Sequence, residues 1–284
     1  MSLRAIALLL SCLLLWGCQA GHRRPASMKG PEVIRWSGEV LVAQDFLVPE
    51  GSLLRIEPGT RVLFAPASSA ASRRLEHPYF PGNELIVAGS IEAIGTPERP
   101  ILFQSLDAGA PPGSWGAVNL EENASGLFRY CIFRQADSAL HSRSAMVEVS
   151  RSFFEHNLVG IRFNRSAILI EENHLYDNEV AIRFHQGFPV ICRNRIEKNA
   201  KGLFITADPG SYRIFHNDFI ASRAYQVILG ASVTQDVHLE YNFWGRTQAQ
   251  EISGEFFDAR LDDYLGEVIF EPFSRMPYTE SFFP

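Results

Sequence analysis

The chain has 284 residues, of which 46% are hydrophobic, so it is long enough to bury a sizeable core. It carries 26 Lys and Arg against 32 Asp and Glu, and this net charge of −6 argues against nucleic acid as a partner, because a phosphate backbone attracts a basic surface. The 21 Gly, 16 Pro and 21 Phe, together with many Val and Ile, favour strands and turns over helices.

Residues 1–17 are predicted to be an export signal. Arg4 supplies a positive charge, and the apolar stretch over residues 5–15 is too short to span a bilayer. The following Leu-Trp-Gly-Cys, which ends at Cys18, resembles the lipobox of bacterial lipoproteins, in which the Cys is lipidated and becomes the new N-terminus. The alternative is an ordinary secretory signal with an incidental Cys.

The lipobox resemblance implies where the protein resides. Acyl chains on Cys18 would anchor it to a membrane, and Gln19, in a position where Asp often signals retention in the inner membrane, implies sorting to the outer membrane. Residues 18–32 are polar and are predicted to form a flexible tether.

Strand-like alternation of apolar and polar residues begins at residue 33. Pro-Gly and Gly-Thr pairs interrupt it, as in "IEPGTRVLF" and "SIEAIGTPERPILF", which is typical of short strands joined by tight turns. Residues 65–82 break the alternation and are predicted to form an insertion loop between two strands.

A short frame then repeats along the chain, as in Ile170-x-x-Asn173-x-Leu175. Its reference positions are Cys131, Ser152, Asn173, Asn194, Asn217 and Asn242, at steps of 21, 21, 21, 23 and 25 residues. A fixed period of this size indicates a repeat architecture, and the inner period of two residues indicates short strands rather than helices. The leucine pattern of leucine-rich repeats is missing.

Each repeat is therefore predicted to form one coil of a parallel β-helix, with successive coils about 4.8 Å apart. Equivalent residues would lie directly above one another, so Asn173, Asn194, Asn217 and Asn242 are predicted to form a hydrogen-bonded ladder with a structural role. Because Asn tolerates left-handed backbone, we expect these residues to turn the corners themselves.

The opening coils and the phrase "YNFWG" at residues 241–245 resemble secreted right-handed parallel β-helix proteins of the pectate-lyase-like superfold. The resemblance implies an all-β, single-stranded, right-handed parallel β-helix over residues 33–245, with coils of about 21–25 residues. It also implies that residues 246–284 cap the last coil, with Trp244 over the core.

Two Cys remain in the predicted solenoid. Cys131 and Cys192 are three coils apart, or about 14 Å at the interstrand spacing, which is too far for a disulfide. Both are expected to be buried, inert thiols.

No catalytic constellation of the superfold's enzymes is found in the repeats. The stacked acidic cluster of pectate lyases and the Asp pair and His-Gly motif of polygalacturonases are missing, and Asp262-Asp263 is predicted to be a turn element. No zinc-ligand spacing or Gly-rich phosphate loop is seen either, so neither a metal nor a cofactor is predicted.

One basic stripe is a candidate ligand site. The repeat places His141, Arg162 and Arg183 on adjacent coils, pointing outward, and nearby turns add Asn164, Arg165, His185 and Gln186. Such a stripe could hold an acidic sugar chain; the alternative is a solvated strand face whose charges are answered by nearby acids.

The functional prediction is a non-catalytic module of the outer membrane that binds glycan or protein, or has a structural role. The alternative is a polysaccharide lyase or glycoside hydrolase acting on an acidic glycan, because this superfold hosts both. Two or more carboxylates projecting from neighbouring coils into one groove would favour the enzyme.

Overall fold

A computed structural model describes residues 32–66 and 80–279. The predicted signal peptide, Cys18, residues 18–31 of the tether and residues 67–79 of the insertion lie outside these ranges. Within them the chain forms short strands and one helix of five residues.

The strands up to the middle of the chain are β1 (Glu32–Trp36), β2 (Glu39–Val42), β3 (Phe46–Val48), β4 (Ser52–Ile56), β5 (Arg61–Phe64), β6 (Leu85–Val87), β7 (Ser90–Ile94), β8 (Ile101–Ser105), β9 (Trp115–Leu120), β10 (Ser125–Arg129), β11 (Cys131–Arg134), β12 (Ala136–Arg143), β13 (Met146–Ser150) and β14 (Phe153–Glu155).

The remaining elements are β15 (Val159–Asn164), β16 (Ala167–Glu171), β17 (His174–Tyr176), β18 (Val180–His185), β19 (Phe188–Cys192), β20 (Arg195–Glu197), β21 (Lys201–Ala207), β22 (Arg213–Phe215), β23 (Asp218–Ile220), β24 (Tyr225–Ser232), β25 (Val237–His238), α1 (Ala249–Ser253), β26 (Phe256–Phe257) and β27 (Val268–Ile269).

Three parallel sheets run the length of the described fold. Sheet A has the order β1-β4-β7-β10-β13-β16-β19-β22, and sheet B has the order β2-β5-β8-β11-β14-β17-β20-β23. Sheet C has the order β26-β24-β21-β18-β15-β12-β9-β6-β3, and β25 pairs with β27 separately. Every third strand is thus a neighbour, which confirms the predicted parallel β-solenoid; it has about nine turns.

The 21-residue register is visible in the strand pairing. Ile161 lies beside Ile182 in sheet C, and Ile170 lies beside Ile191 in sheet A. Inward side chains of one kind therefore stack through the core: the Phe133 ring lies 4.7 Å from the rings of both Phe103 and Phe154, within 5° of parallel. Such continuous burial of apolar surface is the main stabilising term of the fold.

Hydrogen bonds between stacked Asn side chains join the coils at the corner between sheets A and B. The Asn173 Nδ2 donates to Asn194 Oδ1 at 3.0 Å, the Asn194 Nδ2 to Asn217 Oδ1 at 2.9 Å, and the Asn217 Nδ2 to Asn242 Oδ1 at 3.0 Å. A second ladder, at the corner between sheets B and C, contains Asn157, Asn178 and Asn199.

The expectation that the ladder Asn residues adopt the left-handed conformation is wrong. The residue before each of them does so instead, for example Glu172 with φ 54° and Arg193 with φ 55°. This division follows from hydrogen bonding, because the Asn side chain must point inward to reach both a backbone carbonyl and the next Asn. The preceding residue turns the chain and leaves its own side chain in solvent.

Both Cys in the solenoid are free and buried. Burial raises the pKa of the Cys131 thiol and also that of Cys192. Cys131 also extends the Asn ladder, since its backbone N–H donates to Ser152 Oγ at 3.0 Å, and the Ser152 N–H donates to Asn173 Oδ1 at 3.0 Å.

The C-terminal end of the solenoid is covered by aromatic side chains. The Trp244 ring stacks on Phe219 at 4.7 Å and meets Phe256 edge-on at 4.9 Å. The buried Asp218 carboxylate accepts hydrogen bonds from the backbone N–H groups of Tyr278 and Thr279, which ties the last described residues to sheet B. Asp262 lies in a turn, as its carbonyl accepts from the Leu265 N–H at 3.0 Å.

Candidate anion-binding pocket

Strand pairing stacks three residues of the predicted stripe on the outer face of sheet C. His141 on β12 lies beside Arg162 on β15, which lies beside Arg183 on β18. They line a cavity of about 240 Å³, here called the arginine pocket, with the residues Phe163, Asn164, Phe184, His185 and Thr206.

The other two residues of the predicted stripe lie outside this pocket. Arg165 and Gln186 both have positive φ, 54° and 59°, and occupy the adjoining corner. The Arg165 Nε donates to Gln186 Oε1 at 3.3 Å. The structure therefore separates a corner pair from the five stripe residues that share the pocket.

The two pocket arginines carry charges that the described carboxylates do not neutralise by contact. None of the ion pairs between described residues includes Arg162 or Arg183. Their guanidinium carbons lie over aromatic rings instead, 5.4 Å from the centroid of Phe80 and 5.1 Å from that of Phe204.

The electrostatics of Arg162 reflect this crowding of positive charge. Burial lowers the pKa of Arg162, and the neighbouring charge of Arg183 lowers it further, while Asp137 acts in the opposite direction. Burial raises the pKa of Asp137. Asp137 thus partly offsets the positive charge of Arg162. It forms no ion pair with Arg162, so the guanidinium donors stay available to a ligand.

His141 is held by a chain of buried polar groups. Its Nδ1 lies 2.7 Å from Asn119 Oδ1, and the Asn119 Nδ2 donates to Glu84 Oε2 at 2.8 Å. The other oxygen of Glu84 accepts from the Phe80 N–H at 3.0 Å. Since the Nδ2 of Asn119 faces Glu84, its Oδ1 faces His141.

The imidazole of His141 is neutral at ordinary pH. Burial, then the positive charges of Arg162 and Arg143, lower its pKa to about 3. The Phe80 ring covers it edge-on at 4.9 Å, and only 8% of the residue is exposed. His141 thus contributes no positive charge to the pocket, although the sequence placed it in a basic stripe.

One polar atom of the pocket, Asn164 Oδ1, is buried without a hydrogen bond among the described residues. It lies on the same coil as Arg162. The neighbouring Thr206 hydroxyl, by contrast, donates to the Phe184 carbonyl at 2.9 Å and lies 3.3 Å from His185 Nδ1. The arginine pocket therefore offers cationic donors to a ligand, whereas Asn164 Oδ1 is enclosed by protein.

The sequence reasoning missed Phe80, Glu84 and Asn119, on which His141 depends. Asn119 lies beside His141 one coil earlier, where the 21-residue register predicts Leu120 instead. One extra residue in β12, between Ser138 and Leu140, shifts this pairing from the 21-residue register. Phe80 lies within the predicted insertion of residues 65–82, whose contacts no periodic pattern predicts.

A second concave surface was also missed. It is a shallow groove of about 870 Å³ along sheet A, called here the sheet A groove, with exposed Met146 and Phe188 and the half-buried side chains Leu53, Leu127, Leu169 and Val190. The sequence could have predicted this groove, because side chains alternate between the two faces of a strand and these apolar residues occupy the outward positions.

The sheet A groove contains two carboxylates, which bear on the enzyme alternative. Glu92 pairs with Arg55 at 2.8 Å, and Glu148 pairs with Arg129 at 3.2 Å. Leu127 lies between them in the stack, so they are two coils or about 10 Å apart. Neither this groove nor the arginine pocket brings carboxylates from neighbouring coils together among the described residues.

Over residues 32–66 and 80–279, no group of three or more His, Cys, Asp or Glu is arranged to hold a metal ion. No helix there has both the length and the apolar character needed to cross a bilayer.

Comparison with protein-family models, with curated proteins and with solved structures finds no match to this chain. The arginine pocket itself is therefore the basis for a proposed function.

Proposed function

We propose that the chain is a lipid-anchored, non-catalytic binding module of the bacterial outer membrane, which holds an acidic glycan of the envelope through the arginine pocket. The observation that carries this proposal is the stacking of Arg162 and Arg183 on adjacent coils without a carboxylate in contact among the described residues. Two guanidinium groups in register offer a repeated site to carboxylates along a chain.

Physical chemistry favours an anionic ligand here. Placing two like charges on neighbouring strands costs free energy, and a bound carboxylate would recover it through charge-assisted hydrogen bonds. Arg suits this task because its planar fork matches a carboxylate, and the aromatic rings of Phe80 and Phe204 hold the guanidinium planes. An acidic envelope protein is the other class of partner, and the pocket's hydroxyl-accepting atoms favour the glycan.

The test compares three arginine variants of the full chain. Arg162→Gln and Arg183→Gln each remove one pocket charge, whereas Arg165→Gln removes the same charge from the corner pair next to it. Binding of an oligouronate is measured by calorimetry. Each pocket variant is expected to weaken binding by about tenfold or more, because hydrogen bonds to charged groups contribute about 1.5–3 kcal/mol.

The control variant Arg165→Gln is expected to bind like the unaltered chain. Equal losses in all three variants would show only a general effect of charge and would refute the pocket. The absence of binding to any acidic oligosaccharide would refute the proposed function itself.

The membrane anchor has a separate test. When the full gene is expressed in a bacterium supplied with labelled palmitate, the unaltered protein is expected to take up label and to sediment with outer membranes. Cys18→Ser is expected to lose both. If the protein with Cys18 intact takes up no label and stays in the soluble fraction, the lipid anchor is refuted and the segment is an ordinary secretory signal.

The enzyme alternative would use the neutral imidazole of His141, beside Arg162, to take a proton from a bound sugar acid whose carboxylate the Arg neutralises. The lowered pKa of His141 makes it a weak base for this step, which favours the binding module. Incubation with acidic polysaccharides, with and without calcium, distinguishes the two. Release of unsaturated or reducing ends that is lost in His141→Gln would establish a lyase or hydrolase in place of the binding module.

A further inference from the structure

The geometry points to His141 as a specificity-determining residue: its Nε2 accepts a hydrogen bond, so the arginine pocket takes an anion that carries a hydroxyl group and discriminates against one that does not. This inference rests on the proposed function, because it names the chemical class of ligand for the same pocket. It assigns His141 a role as acceptor and not as a cation.

The first step concerns which nitrogen of His141 carries hydrogen. The Phe80 N–H donates to Glu84 Oε1 at 3.0 Å, and the Asn119 Nδ2 donates to Glu84 Oε2 at 2.8 Å. Asn119 is then fixed with its Oδ1 toward His141, so Nδ1 must be the donor at 2.7 Å. In a neutral ring the remaining Nε2 is bare and accepts.

His141 lines the arginine pocket, where its Nε2 has no hydrogen-bond partner among the described residues. Among the described residues its only hydrogen bond is the one from Nδ1. Protonation of Nε2 is opposed by burial and by the charges of Arg162 and Arg143, which together lower the pKa of the ring. The acceptor therefore remains an acceptor across the pH range in which proteins work.

The third step concerns the ligand. The Arg162 and Arg183 guanidiniums supply donors, whereas His141 Nε2 is an acceptor without a hydrogen-bond partner among the described residues. A sulfate or a plain carboxylate would satisfy the donors but would turn its lone pairs toward this acceptor. A sugar acid satisfies both, because it has a carboxylate and adjacent hydroxyl groups. Sites built to bind a hydroxyl discriminate strongly against analogues that lack it, since buried polar groups are then left unpaired.

The experiment uses the full chain and three anions of matched size or charge. They are glucuronate, cyclohexanecarboxylate, which has the same six-membered ring size and charge but no hydroxyl group, and sulfate. Dissociation constants are obtained by titration followed by NMR. Glucuronate is expected to bind about tenfold more tightly than cyclohexanecarboxylate, because a hydroxyl group of glucuronate donates a hydrogen bond to His141 Nε2.

Substitution of His141 isolates its contribution. His141→Leu is expected to weaken glucuronate binding to the level of cyclohexanecarboxylate and to leave cyclohexanecarboxylate unchanged. His156→Leu, at an exposed corner, is the matched control and is expected to change neither. Thermal melts verify that each variant is folded.

The role of Asn119 as a positioning residue has a spectroscopic test. In the unaltered chain the ¹⁵N spectrum is expected to show His141 with hydrogen on Nδ1 and none on Nε2, and glucuronate is expected to shift Nε2. In Asn119→Leu the second tautomer is expected to appear and the preference for glucuronate to fall. The measurement on the unaltered chain stands even if that variant does not fold.

The outcomes separate this inference from the proposed function. Equal affinity for glucuronate and cyclohexanecarboxylate, or hydrogen on Nε2, would overturn the role of His141 while leaving an anion site. Failure of all three anions, together with no effect of Arg162→Gln on oligouronate binding, would overturn the proposed function.

Discussion

Asn173 shows how a single side chain holds neighbouring coils in register. Its Nδ2 donates to the Val149 carbonyl at 2.9 Å and to Asn194 Oδ1 at 3.0 Å, and its Oδ1 accepts from the Ser152 N–H at 3.0 Å. All of these groups are buried, so the side chain replaces the water they lose on folding. One residue thus connects three successive coils.

Replacement of this residue should therefore be costly. Asn173→Ala leaves the Val149 carbonyl and the Ser152 N–H without partners, and each such group costs about 1–3 kcal/mol. We expect a loss of about 2–5 kcal/mol in the free energy of unfolding, measured by urea denaturation. Glu179→Ala, six residues later at an exposed position, is the control and should change it by less than about 0.5 kcal/mol. A loss from Asn173→Ala as small as that of the control would contradict the ladder.

His141 makes the stability of the fold depend on pH. Its folded-state pKa is lowered to about 3 from 6.5, so below pH 6.5 the unfolded chain binds a proton that the folded chain does not. Stability is then lost as pH falls from 6.5 towards 3, by up to about 1.4 kcal/mol per pH unit. The pKa of His141 is lowered by its burial beneath Phe80, and then by the positive charges of Arg162 and Arg143.

The measurement is the free energy of unfolding as a function of pH for the unaltered chain and for His141→Gln. The unaltered chain is expected to lose about 2 kcal/mol more than the variant between about pH 7 and pH 5. His156→Gln, at an exposed corner, is the control and should follow the unaltered chain. Parallel curves for the unaltered chain and His141→Gln would mean that His141 titrates normally in the fold.

Among the elements, the last coil is the one whose core no further coil covers. Interior strands are covered on both sides by identical neighbours, whereas the last coil needs a different structure to cover its core. Trp244, which is 1% exposed and stacked on Phe219, is the largest side chain in that position. It continues the stack of inward aromatic residues beyond β23, the last strand of sheet B.

Trp244→Ala should therefore unfold the solenoid from one end. We expect a loss of about 3–5 kcal/mol, as for other buried aromatic residues. Hydrogen exchange should accelerate first in β22, β23 and β24, while β7 to β12 remain protected. Phe188→Ala, which removes an aromatic side chain that is 65% exposed, serves as the control. Uniform acceleration along the whole chain would argue against stepwise loss of coils.

Much at this scale could be predicted from the sequence, because a coil is a local unit. The 21-residue step between Asn173 and Asn194 predicts which residues stack, and the alternation around Ile161 and Phe163 predicts which face is buried. The corner conformation could not be predicted in the same way. It depends on the residue before each Asn, and side chains as different as Glu172 and Tyr241 occupy that place.

The pocket was predictable only in part, and for a physical reason. Arg162 and Arg183 belong to one periodic column, so the repeat places them together. The groups that set the chemistry of His141 come from outside the period. Phe80 lies in the insertion and Glu84 follows it, and an extra residue in β12 shifts the pairing of Asn119. Contacts that no repeat imposes are read only from the folded chain.

At the scale of the whole molecule, charge and architecture favour different things. The chain has a net charge of −6, so acidic polymers are repelled by most of its surface. The solenoid counters this locally by stacking Arg162 and Arg183 on two adjacent coils of sheet C. Binding of an acidic glycan should thus be confined to one place, with one short oligosaccharide per molecule.

The measurement that tests this account most directly follows the Nε–H resonances of the arginines while an oligouronate is added to the ¹⁵N-labelled full chain. The account predicts large, saturable shifts for Arg162 and Arg183 with a single stoichiometry, and little change for Arg165, which is bonded to Gln186 beside them. Small shifts spread evenly over all arginines, or saturable shifts at Arg55 and Arg129 beside the sheet A groove, would contradict it.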